Sequence, residues 1–134
     1  MKSSYSRVFS FGCSMTKYAW PTWADIYGIQ FPEYYNYAQS GAGNIFISNQ
    51  IVEQSLRYDW NENDLVLIMW SDFTREDRYV NFDWNTPGNI WTQDYYDSRF
   101  IKKYACPRGY IIRDLALMQM AAAYMKDQLC DYKM

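Results

Sequence analysis

Val8-Phe9-Ser10-Phe11-Gly12-Cys13-Ser14 is an apolar, β-prone run that ends in Gly-Cys-Ser. Its β-branched and aromatic residues predict a buried strand over 7–13, closed by Gly12. A loop over 15–20 follows, and then a helix. Pro21 suits the turn that starts it, Thr22 can cap it, and Trp23, Ile26 and Tyr27 share one face at i, i+3, i+4 spacing. Gly28 suits its end. Ser14 thus stands at the C-terminal tip of a first strand, just ahead of a helix, where an α/β domain presents a nucleophile or holds an anion.

Downstream, residues 34–38 predict a short second strand. Gln39-Ser40-Gly41-Ala42-Gly43-Asn44 is a tight glycine turn, and 44–58 is a helix with Ile45, Ser48, Ile51, Val52, Ser55 and Leu56 along one face. Residues 64–70, DLVLIMW, are apolar on both faces, as a central parallel strand should be, and Ser71, Asp72 and Arg75 leave its tip. Residues 77–109 predict a long irregular aromatic loop that carries Trp84 and Trp91, with Pro87-Gly88 and Pro107 as breakers; loops of that length tend to be functional. Residues 110–129, rich in Ala, Leu and Met, predict a closing helix that packs through Met118, Met120 and Met125.

Strand, helix, strand, helix, strand, loop, helix is the order of βαβ units on a parallel sheet. The expectation is one three-layer α/β domain over 1–134, with a short sheet of three strands. Ligands of such sheets sit beyond the C-terminal strand ends, and the polar turns at 12–14, 40–44 and 71–72 all fall on that rim.

A net charge of −2 with no basic stripe argues against a nucleic-acid partner. No run reaches the ~18 apolar residues of a membrane span. Met1-Lys2-Ser3-Ser4-Tyr5-Ser6-Arg7 has no apolar leader core, so a cytoplasmic protein is expected. Cys13, Cys106 and Cys130 form neither a disulfide framework nor zinc-ligand spacing. They fit a reducing compartment, and no metal or cofactor is expected. Fourteen Tyr and six Trp suit a core, and also suit stacking on flat or sugar-like ligands. The chain contains no histidine.

Gly12-Cys13-Ser14-Met15-Thr16-Lys17 lacks the second glycine of a phosphate loop, and Tyr18 stands where a magnesium-binding Ser or Thr would. Ala19 stands where a cysteine phosphatase loop needs arginine, and Cys13 reads as a small buried hydrophobe. Ser14 as nucleophile needs a base and oxyanion donors; the N–H groups of Ser14 and Gly41, both on turns, are candidates. Asn44 can instead cap its helix, Ser71 and Asp72 can satisfy the strand end, and Arg75 can bind an anion or form a salt bridge. Glu76 and Asp77 read as a solvated charge pair.

These blocks resemble those of the SGNH (GDSL-type) hydrolase superfamily. Gly12-Cys13-Ser14 resembles its Gly-Asp-Ser block, with the nucleophile at Ser14 and Cys13 in place of the Asp. Asn36-Tyr37-Ala38-Gln39-Ser40-Gly41 resembles its second block, whose glycine amide donates to the oxyanion, here Gly41. The strand over 64–70 with Ser71-Asp72 sits where a Gly-x-Asn-Asp block belongs, with Met69 for the glycine and Ser71 for the asparagine. The wording FGCS, WPTWAD, AQSGAGN and MWSDFTRED is similar to members from tailed phages and their marine bacterial hosts. The Asp-x-x-His element that carries the general base is missing, and Lys17 is a poor substitute without a strongly lowered pKa.

The resemblance covers residues 7–78. It implies a flavodoxin-like strand order with more strands than the three read here, hence a C-terminally truncated SGNH-type domain. It also implies an esterase or deacylase on acyl groups of a small molecule or a glycan. Ser14 would attack, the Ser14 and Gly41 amides with Ser71 or Asn44 would hold the oxyanion, and Cys13, Asp72, Arg75, Trp84 and Trp91 would contact substrate. With its histidine outside the chain, activity is expected to be feeble. The alternative is a non-catalytic, phage-associated binding or structural protein whose Trp84 and Trp91 contact glycan. A strand over 64–70 without a further neighbour would leave an apolar edge open to self-association.

Overall fold

In the computed structural model, which describes residues 5–92 and 94–134, the sheet grows outward from the run that decides the reading. β1 (Arg7–Phe11) leads to α1 (Trp23–Gly28), β2 (Glu33–Asn36), α2 (Asn44–Tyr58) and β3 (Asp64–Ile68). A hairpin of β4 (Arg78–Val80) and β5 (Asp83–Asn85) follows, then α3 (Ser98–Tyr104), α4 (Pro107–Lys126) and β6 (Asp131–Lys133). Four strands pair in parallel in the order β2-β1-β3-β6. Met1-Lys2-Ser3-Ser4, part of the stretch read as lacking a leader core, and Gln93 of the aromatic stretch lie outside the described residues.

Each face of β1 and β3 meets a different core, which is why both read apolar at successive positions. Phe9, Phe11, Val66 and Ile68 alternate onto one face, against Ile47 and Ile51 of α2 and Ala121 and Met125 of α4. Val8 and Leu65 turn the other way, toward Tyr5, Tyr27 of α1, Phe31 and Tyr34. Val8, Phe9, Phe11 and Val66 are fully buried; a buried side chain of that size contributes about 1.5–3 kcal/mol over leaving it in water. The one carboxylate at the head of β3, Asp64, is buried and takes a two-pronged pair from Arg7, at 2.7 Å through Nε and 2.7 Å through Nη2. Such a pair fixes the register of β1 on β3 at its first rung. Among the described residues no helix is long and apolar enough to cross a membrane.

Two expectations are corrected here. The sheet holds four strands, not three: Asp131, Tyr132 and Lys133 pair with Leu65, Val66 and Leu67. Three residues of mixed polarity carry no period-two signal, so β6 is invisible to hydrophobic patterning. The apolar edge expected along β3 is therefore covered, and self-association through it loses its premise. The edge that replaces it is short, with Asp131 and Lys133 exposed, which discourages strand pairing.

The second correction concerns residues 77–109, expected to be irregular. β4 and β5 pair around Asn81 and Phe82, whose φ angles of 51° and 64° make the tight hairpin turn. α3 and the first turn of α4 order the C-terminal part of that stretch. Pro107 does not break the chain there but starts α4, where its missing N–H costs nothing. α4 ends at Lys126, short of Leu129, and Met120 on it is 67% exposed while Met125 is buried. The Tyr5 hydroxyl donates to Asp131 Oδ2 at 2.6 Å, tying the segment before β1 to β6.

Candidate functional site

Beyond β1 the chain curls back on itself. The amides of Thr16 and Lys17 both donate to the Cys13 carbonyl, at 2.9 and 3.1 Å. Thr16 is fully buried under this turn. Gly12 is glycine because a Cβ there would stand 2.1 Å from Thr16 Oγ1 and 3.2 Å from the Met69 carbonyl of the neighbouring tip. Cys13 turns into the main core, so it is corrected from a substrate contact to a packing residue. Ser14 is half-buried. It lines a cleft of about 340 Å³ with Met15, Tyr18, Trp20 and Thr22. Nothing among the described residues hydrogen-bonds its hydroxyl.

Through Thr22 the cleft wall joins a polar network. The Thr16 carbonyl accepts from Thr22 Oγ1 at 2.6 Å and from Asn36 Nδ2 at 2.9 Å. Asp25 accepts from the Thr22 amide at 2.9 Å, Asn36 Nδ2 at 3.2 Å and the Tyr34 hydroxyl at 3.3 Å. The Thr22 amide is the main reason that the Asp25 carboxyl lies below its ordinary range. Burial pushes the Tyr34 hydroxyl up to about 12. Asn36, Asp25 and Tyr34 are thus spent on holding the loop over 15–22.

The second tip lies beside the first. The β1–β2 ladder continues past the strands, with the Tyr37 amide on the Ser10 carbonyl at 2.9 Å and the Gln39 amide on Gly12 at 3.2 Å. Gly41 follows with φ +80°, and a Cβ on it would stand 2.1 Å from the Thr86 carbonyl. Both facts demand glycine. The chain beyond β5 is laid across this turn: Gln39 Nε2 donates to Thr86 Oγ1 at 3.0 Å, and Thr86 Oγ1 donates to the Ser40 carbonyl at 3.0 Å.

At the third tip, beyond β3, the Asn44 side chain and the Ser71 backbone are occupied. Asn44 Nδ2 donates to the Ser71 carbonyl at 3.0 Å and to Asp114 Oδ2 at 2.8 Å, while its Oδ1 accepts from the Ser71 amide at 2.7 Å. Both N–H of the Asn44 amide and the N–H of Ser71 are consumed. Asn44 is corrected from an oxyanion donor to part of a clamp between β3, α2 and α4; nor does it cap its helix, since Gly43 holds that position. The Ser71 hydroxyl and Arg75 Nε are buried with no partner among the described residues. Asp72 is exposed and folds back onto the amide and hydroxyl of Thr74, the hydroxyl first among the causes that lower its pKa.

Glu76 and Asp77 are no solvated pair. Glu76 binds Arg113 at 3.1 Å and Arg78 at 3.2 Å. Asp77 is 3% exposed and accepts from the amides of Gly43 and Phe46 at the start of α2. Burial raises its pKa, against the pull of those amides. Trp84 packs edge-on against Phe46 at 5.5 Å and Trp91 against Tyr110 at 5.7 Å. Trp84 packs against the main core, Trp91 stays 39% exposed, and neither lines the Ser14 cleft.

Tyr18 and Trp20 were not singled out from sequence. Their signal was a pair of aromatic residues in a loop next to Pro21, with no periodic face to place them on. Comparison of the chain with family models, with curated proteins and with solved structures gives no match.

Proposed function

We propose that this chain carries the nucleophile end of an SGNH-type serine hydrolase site, acting on acyl esters. The observation that carries the reading is what remains unspent on the rim. Among the described residues, the Ser14 hydroxyl, the Ser14 amide and the Gly41 amide hold no hydrogen bond to protein, while Asn36, Asn44, Asp25 and Asp77 around them are all engaged. Polar groups in a packed structure are normally paired. A hydroxyl and two N–H groups left open beyond the tips of two paired strands are the parts an acyl transfer needs: an attacking oxygen and donors for the oxyanion. The strand order β2-β1-β3-β6 supports a flavodoxin-like sheet, and the switch point of such a sheet lies between the tips of β1 and β3.

In this reading Ser14 Oγ attacks the acyl carbon and gives its proton to solvent water, and the Ser14 and Gly41 amides receive the charge that develops on the carbonyl oxygen. The ester C–O bond then breaks, its alkoxide leaves protonated by water, and a second water hydrolyses the acyl-serine. The proton acceptor is not an imidazole of these 134 residues, since none holds one. Hydrolysis by the chain alone is therefore feeble, drawn from oxyanion stabilisation and binding. The free thiols of Cys13, Cys106 and Cys130 support a reducing, cytoplasmic setting, as a phage-encoded protein would meet in its host. The test is turnover of p-nitrophenyl acetate by the wild-type chain and by Ser14→Ala; equal rates remove Ser14 from the chemistry.

A second reading, a non-catalytic glycan-binding or structural protein with a degenerate SGNH fold, is favoured by the Asn44 clamp. A family site that needs an asparagine donor has Asn44 tied into structure through its whole side-chain amide.

A further inference from the structure

We infer that Tyr18 and Trp20 form a saccharide-stacking subsite beside Ser14. This deepens the reading of that cleft as a ligand site but does not require hydrolysis. The two rings touch, centroids 4.2 Å apart and planes inclined at 59°. Trp20 is 65% exposed and Tyr18 47%. Neither belongs to a core cluster, and together they stand as a ridge between two clefts. On one side is the Ser14 cleft; on the other is a cleft of about 440 Å³ lined by Lys17, Tyr18, Ala19, Ala38, Gln39 and Ser40.

The ridge is held rather than loose. Thr16 and Thr22, which flank it, are buried, and the Thr22 hydroxyl on the Thr16 carbonyl closes the loop at 2.6 Å. Exposed aromatic rings on a fixed loop keep apolar faces in water at a free-energy cost that contact with a ligand removes.

The polar groups beside the rings choose the ligand. The Lys17 ammonium spends one donor on the Asn36 carbonyl at 3.2 Å and keeps the rest. Gln39 Nε2 is spent on Thr86 and on the Trp84 carbonyl, which leaves its Oε1 as an acceptor. The Ser40 side chain is exposed. A donor, an acceptor and a hydroxyl next to an aromatic face match the alternating hydroxyls and apolar C–H face of a pyranose ring. A bare acyl chain would leave those groups without partners, at the cost that follows from desolvating them, and the net charge of −2 opposes a nucleic acid.

The experiment is a glycan array of neutral and acidic pyranose oligosaccharides, followed by calorimetric titration of the best-retained oligosaccharide. It uses wild type, Trp20→Ala, Tyr18→Ala and Phe82→Ala, each checked for its fold by circular dichroism. Phe82, 95% exposed at the hairpin tip, controls for unspecific adhesion to any bare ring. Trp20→Ala and Tyr18→Ala should each weaken binding at least ~10-fold, as loss of a central aromatic anchor does, and Phe82→Ala should not change it. The inference is overturned if wild type retains no oligosaccharide, if Trp20→Ala binds as wild type does, or if Phe82→Ala loses as much. Ester turnover independent of Ser14 with Trp20-dependent glycan binding would sink the hydrolase and keep this subsite; Ser14-dependent turnover without glycan binding would do the reverse.

Discussion

Asp77 accepts the Gly43 amide at 2.8 and 3.0 Å through its two oxygens, so a carboxylate 34 positions downstream closes the N-terminus of α2. The Phe46 amide joins it at 2.9 Å. The chain thus supplies from a distance the cap that Gly43, without a side chain, cannot. Asp77→Ala leaves these buried donors unpaired and should lower stability by about 1–3 kcal/mol. Urea denaturation of the variant at neutral pH measures it, and a loss within the error of the method would show that the cap is dispensable.

Asn44→Ala should behave as a structural lesion, not a catalytic one. It strands the Ser71 amide and an oxygen of the buried Asp114, each about 1–3 kcal/mol when left without a partner. The expected result is a lower unfolding midpoint, with Ser14-dependent ester turnover per folded molecule unchanged. A selective fall in turnover at full stability would return Asn44 to the oxyanion site.

Gly41→Ala meets two obstacles at once. Its φ of +80° costs an L-residue about 1–2 kcal/mol, and its new methyl would stand 2.1 Å from the Thr86 carbonyl. The segment around Thr86 must move off the rim. A thermal melt should show a clear drop in Tm, and a Tm equal to wild type would mean that Thr86 does not press on Gly41.

Asp25 gives the pH dependence. Its folded carboxyl lies below the ordinary value of 3.8, mainly through the Thr22 amide. Between that ordinary value and the lower folded one, the unfolded chain binds more protons than the folded chain. The stabilisation is therefore complete above 3.8 and is lost as pH falls through the folded value. Asp25→Ala should be less stable at neutral pH by about 1 kcal/mol, the usual worth of a helix cap. The gap to wild type should close on acidification, as a series of urea titrations would show. A gap that widens toward acid contradicts the assignment.

How much of this was legible depended on the strength of local pattern. α2 spans the residues expected of it, and β1 and β3 were plain because two-sided burial writes an unbroken apolar run. β6 was hidden because three residues in Asp-Tyr-Lys order hold no periodicity, and only pairing with β3 makes them a strand. The site divides along the same line. That Ser14 and Gly41 follow the ends of neighbouring parallel strands could be read from turn residues placed after apolar runs. The fate of Asn44 and Asp77 could not be read, because it depends on Asp114 and Gly43, partners brought in by tertiary packing. Tyr18 and Trp20 escaped notice for the opposite reason: they pack on each other and into no core, so no pattern marks them.

β1, β3 and β6 run in the same direction, with Tyr5 clasped to Asp131 across them. Traction on the two ends of the chain would draw β1 and β6 along their own axes in opposite senses. The ladder bonds then carry load side by side and must rupture as a group, not unzip one after another. The protein should accordingly resist stretching far better than its short strands suggest.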